Sequence, residues 1–446
     1  MRIEREYHAT AEELFQAFVD VDRLRQWFRP ARGLAAPRAR ACDGPPGAEL
    51  VFATPVGDVT LRFVFHRREP ARALSFDLVR NDASGTHSSR VAVTLQRIAG
   101  SDRTLLVLQH DGLPPEHAAE AEAGWRHALG RLIGACPAAL DAHCGAFARI
   151  GGFRSVFGGL WPDRADAAAV QATKRAAGVL DAADDARFAH WRDKGYVALP
   201  GAVPAAAIDA FRAEVARDWQ RGNAAVTIEL CDGEGGNHRM RPELRDRPHK
   251  VLDYHAVSPN ARDIQFAPAI RRFLEQLFER PPMACQSLLF GYGTEQAMHQ
   301  DTAYVVMRSP MQFVGCWVAL EDIAEGSGEL HYYEGSHRIP EFLWFGRSRS
   351  RPPGYEDDAE FLAWVDERSR EAGCKKVVFR PKKGDALIWH ADLVHGGSPR
   401  LRRELTRWSL VTHFCPVDVD PAWMHDEQTR RRHEHAPGAY YCHLGL

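Results

Sequence analysis

Runs of alternating apolar residues early in the chain constrain its fold more than any other feature. Val59, Leu61, Phe63 and Phe65 share one parity, as do Leu74, Phe76 and Leu78, and again Val91, Val93 and Leu95. In an extended chain, residues i and i+2 project to the same side, so each run predicts a strand with one buried face and the set predicts an antiparallel sheet. A further strand is predicted over 104–109. Ahead of these runs, a short strand over Ile3–Tyr7 leads to Thr10-Ala-Glu-Glu13, the spacing of a capping box, and then to a helix with Leu14, Phe15, Phe18 and Val19 on one face. After them, Pro114-Pro115 opens a long helix on which Trp125, Leu129, Leu132 and Ile133 form one apolar stripe. A sheet with one apolar face must cover it, and this helix supplies the cover.

This order of elements resembles the START-like helix-grip superfamily, in the branch related to the activator of the heat-shock chaperone ATPase. The residues that carry the likeness are Phe15-Gln-Ala-Phe18, Arg25-Gln-Trp27-Phe28, His110-Asp-Gly-Leu113 and Gly124-Trp125, and it covers residues 1–140. It implies a cavity between sheet and long helix that can take an apolar ligand. The residues themselves equally allow a plain scaffold or a dimerisation module, because no polar constellation in this half declares a reaction.

At 446 residues the chain exceeds what one hydrophobic core usually serves, and two or three domains are expected. Residues 141–185 read as a connector, with Gly151-Gly152 and Gly158-Gly159 flanking Phe153-Arg-Ser-Val-Phe157, followed by an Ala- and Asp-rich helical stretch. A second domain is expected over 186–446. It opens with Phe188 and Trp191 on a helix that runs into the strand Tyr196-Val-Ala-Leu199, and continues with a helix over 204–220. Residues 221–262 read as loop-rich, and strands dominate 283–335 and 376–416.

The 57 Lys+Arg against 59 Asp+Glu give a net charge of -2, which provides no global basic field for nucleic acid. Nine cysteines without a CxxC pair point to neither a disulfide framework nor a zinc ribbon. No stretch reaches the roughly 18 apolar residues of a membrane span, and the charged start lacks a secretory apolar run. A soluble, cytoplasmic protein acting on a small molecule is expected, without nucleic-acid or membrane partners; the oligomeric state is left open.

The chemistry concentrates in Gln296-Ala-Met-His299-Gln-Asp301-Thr-Ala-Tyr304. On a strand, His299 and Asp301 would present an imidazole and a carboxylate to one point. Alone, the pair is equally a hydrogen-bonded structural motif, since His-x-Asp arises by chance once or twice in a chain with 21 histidines, and His390-Ala-Asp392 is a second instance. The rest of the pattern decides. His395, expected on a strand running from Asp385, offers a third ligand, and Arg407, at the start of the strand Trp408–Phe414, offers an anchor for an anionic co-substrate. His390 and Asp392 have the opposite parity to His395 and are read as structural; His337 is read as a loop hydrogen-bonder, and His425, His433 and His435 as a solvated tail.

Over residues 186–420 these motifs resemble the phytanoyl-CoA hydroxylase family of Fe(II)/2-oxoglutarate dioxygenases. The likeness rests on Gly195-Tyr-Val-Ala-Leu-Pro-Gly201, His299-Gln-Asp301, Trp317-Val-Ala-Leu-Glu-Asp322, Glu334-Gly-Ser-His-Arg338 and Trp389-His-Ala-Asp-Leu-Val-His-Gly396. The family implies an α+β chain whose C-terminal part is a double-stranded β-helix, or jelly roll. It also implies His299, Asp301 and His395 as catalytic iron ligands, Arg407 as the 2-oxoglutarate anchor, and Gln296, Trp317 and Ser409 as lining of the co-substrate site. Ser327-Gly328-Glu329 departs from the Asn-Gly common there, which leaves that loop open. The implied reaction couples decarboxylation of 2-oxoglutarate to attack by dioxygen on a substrate C–H bond. Asp301 fills the place that related halogenases leave to chloride, which favours hydroxylation, desaturation or cyclisation. The locally basic segment 237–250 offers a place for an anionic group of the substrate. The competing reading is a ligand-binding or chaperone-associated protein with a catalytically silent jelly roll.

Overall fold

The computed structural model describes the chain except for residues 31–36, 43–45, 55–56, 84, 102, 145–158, 232–235, 308–310, 353–354, 356, 423–430 and 443–446. It divides into two compact units, Met1–Gly151 with Leu343–Glu360, and Gly152–Phe342 with Phe361–Leu446. Among the described residues no helix is long and apolar enough to cross a membrane.

The first unit runs β1 (Arg2–Tyr7), α1 (Ala11–Val19), α2 (Val21–Trp27), β2 (Arg38–Ala41), β3 (Gly47–Thr54), β4 (Gly57–Glu69), β5 (Ala73–Asp82), β6 (Gly85–Arg97), β7 (Thr104–Asp111), α3 (Pro115–Arg131) and, after a 3-10 turn, α4 (Pro137–Cys144). Its strands form one antiparallel sheet in the order β1-β7-β6-β5-β4-β3-β2. The Thr10 hydroxyl accepts from the Glu13 amide at 3.2 Å, so the expected cap starts α1. Leu61, Phe63, Phe65, Leu74, Phe76, Val91, Val93 and Leu95 are buried on one sheet face, as their parity predicts. Val59 and Leu78 are less buried because they border a cavity of about 390 Å³, whose wall also includes Phe28, Phe52 and Trp125. The hairpin partners β2 and β3 were not foreseen. Val51 and Ala53 interrupt the alternation there, and Glu49 is buried on the other face, where Arg40 and Arg62 hold it at 2.7 and 2.9 Å.

The second unit contains α5 (Ala167–Ala176), α6 (Ala182–Lys194), β8 (Tyr196–Leu199), α7 (Ala205–Arg221), β9 (Asn223–Leu230), β10 (Asn237–Met240), β11 (His249–Leu252), α8 (Pro259–Gln265), α9 (Pro268–Phe278), β12 (Pro282–Phe290), β13 (Val314–Ala319), β14 (Leu330–Tyr333), α10 (Ala359–Glu371), β15 (Lys376–Phe379), β16 (Ala386–His390), β17 (His395–Gly397), β18 (Ser409–Pro416), β19 (His433–Ala436) and β20 (Ala439–Tyr441). A major sheet has the order β10-β9-β11-β12-β18-β13-β16-β8, with β20 beside β12 and β19 beside β20; a minor sheet has the order β15-β14-β17. One face of the major sheet sends Val314, Cys316, Val318, Ile388, Leu410 and Phe414 into a core shared with the helices. The other face sends Phe290, Trp317, Leu387, Trp389 and Val411 into a cluster with Leu330 and Tyr332 of the minor sheet. Two sheets that meet through their inner side chains are the jelly roll the motifs imply.

Four expectations are corrected. Residues 221–262 carry β9, β10, β11 and α8 in place of a loop-rich stretch, with Val226, Ile228 and Leu230 buried in the core. Within the expected connector, Leu160, Trp161 and Leu180 are core residues of the second unit, and the Trp161 indole donates to the Gln276 carbonyl at 2.8 Å; Gly151-Gly152, Phe153–Phe157 and Gly158 lie outside the described residues. Asp385–His395 is not one strand: β16 ends at His390 in the major sheet, and His395 begins β17 in the minor one. His433 and His435 do not form a solvated tail but sit in β19, where His435 meets Asp263 at 3.0 Å and stacks on Phe266; His425 lies outside the described residues.

Candidate metal centre

His299 and His395 are held opposite one another by a single antiparallel bridge, each amide donating to the other's carbonyl at 2.9 and 3.0 Å. Backbone hydrogen bonds therefore join two positions 96 residues apart in sequence. Asp301 is not on a regular strand, as the spacing had predicted, but opens a short 3-10 turn through Ala303. That turn is anchored from behind: the Thr302 hydroxyl donates to the Asp392 carboxylate at 2.8 Å, and the Gln300 amide to the Asp392 carbonyl at 2.8 Å. The Asp392 amide donates to His390 Nδ1 at 3.1 Å, and His390 Nε2 faces Asp163 at 3.2 Å, so these residues bond within the fold; the parity expected to exclude them does not apply, because β16 ends at His390. His337, in a loop, bonds through Nε2 to the Arg192 carbonyl at 3.1 Å.

Each imidazole is oriented through its far nitrogen. His299 Nδ1 bonds to the Ala297 carbonyl at 2.8 Å and His395 Nδ1 to the Leu393 carbonyl at 2.9 Å. A carbonyl can only accept, so both Nδ1 atoms carry the hydrogen and both Nε2 atoms present a lone pair, that of His299 facing the Gln296 amide at 3.2 Å. Both Nε2 atoms lie 3.6 Å from Asp301 Oδ1. The three donor atoms fall within 4.8 Å of one another, in a buried position. Two imidazoles and one carboxylate are a donor set that fits non-haem Fe(II).

The charge states suit that role. Burial alone would raise the Asp301 carboxyl, but the imidazoles of His395, His299 and His413 outweigh it and hold the group well below the usual carboxylate range. Burial pushes His395 down to about 4 against the pull of Asp301. The same cause, helped by Lys376, brings His331 to about 4. Folded, these two rings stay neutral where the unfolded chain, with an ordinary value of 6.5, takes up protons. The metal-free second unit is thus expected to lose stability progressively as pH falls from about 6.5 towards 4. Denaturant melts at half-unit pH steps check this, and a flat profile across that window would contradict it.

Arg407 precedes β18 and shares the parity of Ser409, Val411 and His413. It is only 3% exposed. Its guanidinium lies 5.8 Å from the ring centroids of both Phe290 and Trp317. Among the described residues no carboxylate pairs with it; the nearby acid Glu329 is taken by Arg380 at 3.1 Å and the Gly326 amide at 3.1 Å. Burial, with Arg400 nearby, draws Arg407 down to about 10, which leaves it charged at neutral pH. Arg407 Nε, Trp317 Nε1 and Ser409 Oγ are all buried without a hydrogen-bond partner. Three orphaned donors around one unpaired cation cost free energy unless an anion with several acceptor oxygens completes them. The Gln296 amide nitrogen is 3.2 Å from His299 Nε2, on the metal-facing side. Two residues at the site were not foreseen: Trp389, whose indole donates to Asp301 Oδ2 at 2.8 Å, and His413, whose Nε2 is 3.4 Å from the same oxygen. The parity of Arg407 and Ser409 would have revealed His413; Trp389 depends on a register that local sequence does not encode.

Comparison with known proteins agrees with this architecture. A family model for phytanoyl-CoA dioxygenase matches residues 191–403, and one for activator of Hsp90 ATPase homolog 1-like protein matches residues 8–135. Residues 191–403 of the second unit are thus similar to the phytanoyl-CoA dioxygenase family. Residues 8–135 of the first are similar to the Hsp90 ATPase activator family. The phytanoyl-CoA dioxygenase match stops short of Arg407 and Ser409, so their assignment stands on geometry. Phytanoyl-CoA dioxygenase domain-containing protein 1 of Danio rerio is 28% identical over 146 residues, covering 32% of this chain and 48% of the relative. Its counterpart in Mus musculus is 24% identical over 168 residues, covering 36% and 55%. The chain thus spans about half the length of the curated relatives it matches. Among solved structures, the epimerase SnoN in complex with Fe3+, alpha ketoglutarate and nogalamycin RO aligns with TM-score 0.41 and 20% identity over 54% of this chain and 86% of that one. EctD from S. alaskensis with bound Fe aligns with TM-score 0.38 and 18% identity over 51% and 75%. Likeness at that distance says nothing about the metal site.

Proposed function

We propose that the second unit is an Fe(II)- and 2-oxoglutarate-dependent dioxygenase that hydroxylates a small, partly apolar metabolite. The observations that carry this reading are the convergence of His299 Nε2, His395 Nε2 and Asp301 Oδ1 within 4.8 Å and a buried arginine, Arg407, that lacks a carboxylate partner among the described residues. When bound, iron with 2-oxoglutarate and dioxygen supplies the oxidation of a C–H bond, with release of succinate and CO2. His299, Asp301 and His395 would hold the metal by one face, leaving the opposite face to co-substrate. Arg407 would pair with the distal carboxylate of 2-oxoglutarate, an interaction of about 1.5–3 kcal/mol when charge-assisted. The Trp317 indole and the Ser409 hydroxyl supply further donors to that carboxylate, and the Gln296 amide is placed beside the metal-facing side of His299. The enclosing apolar cluster keeps water from the reacting centre. Incubation with iron, oxygen and 2-oxoglutarate is expected to release succinate even without the true substrate, through uncoupled turnover. A complete lack of succinate would favour a silent scaffold.

The cavity of the first unit favours a second, separate activity: uptake of an apolar ligand. Trp125 Nε1 donates to His110 Nδ1 at 2.9 Å and His110 Nε2 meets Ser89 Oγ at 2.7 Å, so these polar atoms are satisfied; Arg80, Asp82, His87, His117 and Glu120 also line the cavity, whose wall is otherwise mostly apolar. Leu78→Trp fills the cavity and is expected to abolish binding of an apolar fluorescent probe. Unchanged probe affinity in that variant would place the ligand elsewhere.

A further inference from the structure

We infer that Trp389 is the positioning residue that makes Asp301 a one-oxygen ligand; this rests on the reading of His299, Asp301 and His395 as the metal site. A carboxylate free to use both oxygens would take two positions on a six-coordinate ion. With two imidazoles already bound, only two positions would remain, and a chelating keto-acid would fill both, leaving none for dioxygen. The site therefore needs a device that keeps one carboxylate oxygen away from the metal.

The indole of Trp389 has the right chemistry and the right place. Its Nε1 donates to Asp301 Oδ2 at 2.8 Å, while Oδ1 is the oxygen 3.6 Å from both imidazole Nε2 atoms. An indole N–H can only donate, so it engages the carboxylate without competing as a ligand. The same ring lies against His395, with centroids 4.8 Å apart, so one side chain of the major sheet steadies two candidate ligands, one of them in the minor sheet. His413 flanks Oδ2 from β18 at 3.4 Å.

This placement requires Gly315. In the antiparallel register of β13 and β16, Gly315 is the direct partner of Trp389. A Cβ on Gly315 would fall 2.2 Å from Cε2 of the indole and 2.7 Å from Nε1, so any other residue displaces the ring. A small residue in one strand and the largest in its partner thus form a matched pair whose product is the position of one N–H.

Co(II) serves as a spectroscopic stand-in for Fe(II), because its visible absorption reports coordination number. Trp389→Phe keeps the ring and removes the N–H. The Co(II)-loaded variant is expected to show an altered visible spectrum with 2-oxoglutarate still bound, and the iron-loaded variant about 10- to 100-fold slower succinate formation. Gly315→Ala, which keeps the indole but displaces it, is expected to give the same spectral change and stands as the test should Trp389→Phe not fold. Mere loss of packing would lower the melting temperature without changing the spectrum of bound Co(II). Wild-type Co(II) spectra and wild-type succinate formation in both variants would overturn the inference. Co(II) binding in Asp301→Ala as tight as in the wild type would instead overturn the metal-site reading itself.

Discussion

Asp301→Ala is expected to bring succinate formation below detection. Two imidazoles alone bind Fe(II) weakly, and the carboxylate is the only anionic group in the donor set. The variant also leaves the Trp389 indole and His413 without their shared acceptor in a buried layer, so metal-free stability is expected to fall as well. Metal content by mass spectrometry, read beside succinate release, checks the assignment: full iron occupancy with lost turnover would show that Asp301 acts in some way other than as a ligand.

Arg407→Leu is expected to move activity and stability in opposite directions. Loss of a charge-assisted contact of about 1.5–3 kcal/mol should raise the KM for 2-oxoglutarate roughly 10- to 150-fold. In the ligand-free protein, however, the guanidinium is buried without a carboxylate partner among the described residues and has an orphaned Nε. Burying a charge without a partner carries a desolvation cost, and even paired buried charges are often replaced by apolar side chains with a neutral effect or a gain of about 1–4 kcal/mol. The melting temperature of the ligand-free variant should therefore rise while its affinity for 2-oxoglutarate collapses. Arg407→Lys keeps the charge but loses the planar fork and should fall between the two in affinity. A variant that is both less stable and unchanged in KM would assign Arg407 to the fold.

What the sequence made legible, and what it hid, follows from the range of each interaction. The buried parity of β4, β5 and β6 and the Thr10 cap of α1 are local and could be read directly. The convergence of His299 with Asp301 was anticipated for a partly mistaken reason: Asp301 points correctly from a 3-10 turn held by Asp392, where a strand had been expected. The break between β16 and β17 escaped notice because residues 385–395 are apolar enough to read as one strand, although the chain there changes sheets. Leu160 and Trp161 looked like connector because two isolated apolar residues between Gly158-Gly159 and an Ala- and Asp-rich stretch carry no periodicity. The Gly315 and Trp389 pair depends on a strand register set by residues more than seventy positions apart, and no local pattern contains it.

The central claim, that His299, Asp301 and His395 form an iron centre read by 2-oxoglutarate, is tested most directly by anaerobic addition of Fe(II) and 2-oxoglutarate to the intact protein. The account predicts a weak visible charge-transfer band in the wild type that is absent from both His299→Ala and Asp301→Ala. A band of equal strength in all three proteins, or none in the wild type at saturating iron and keto-acid, would contradict it.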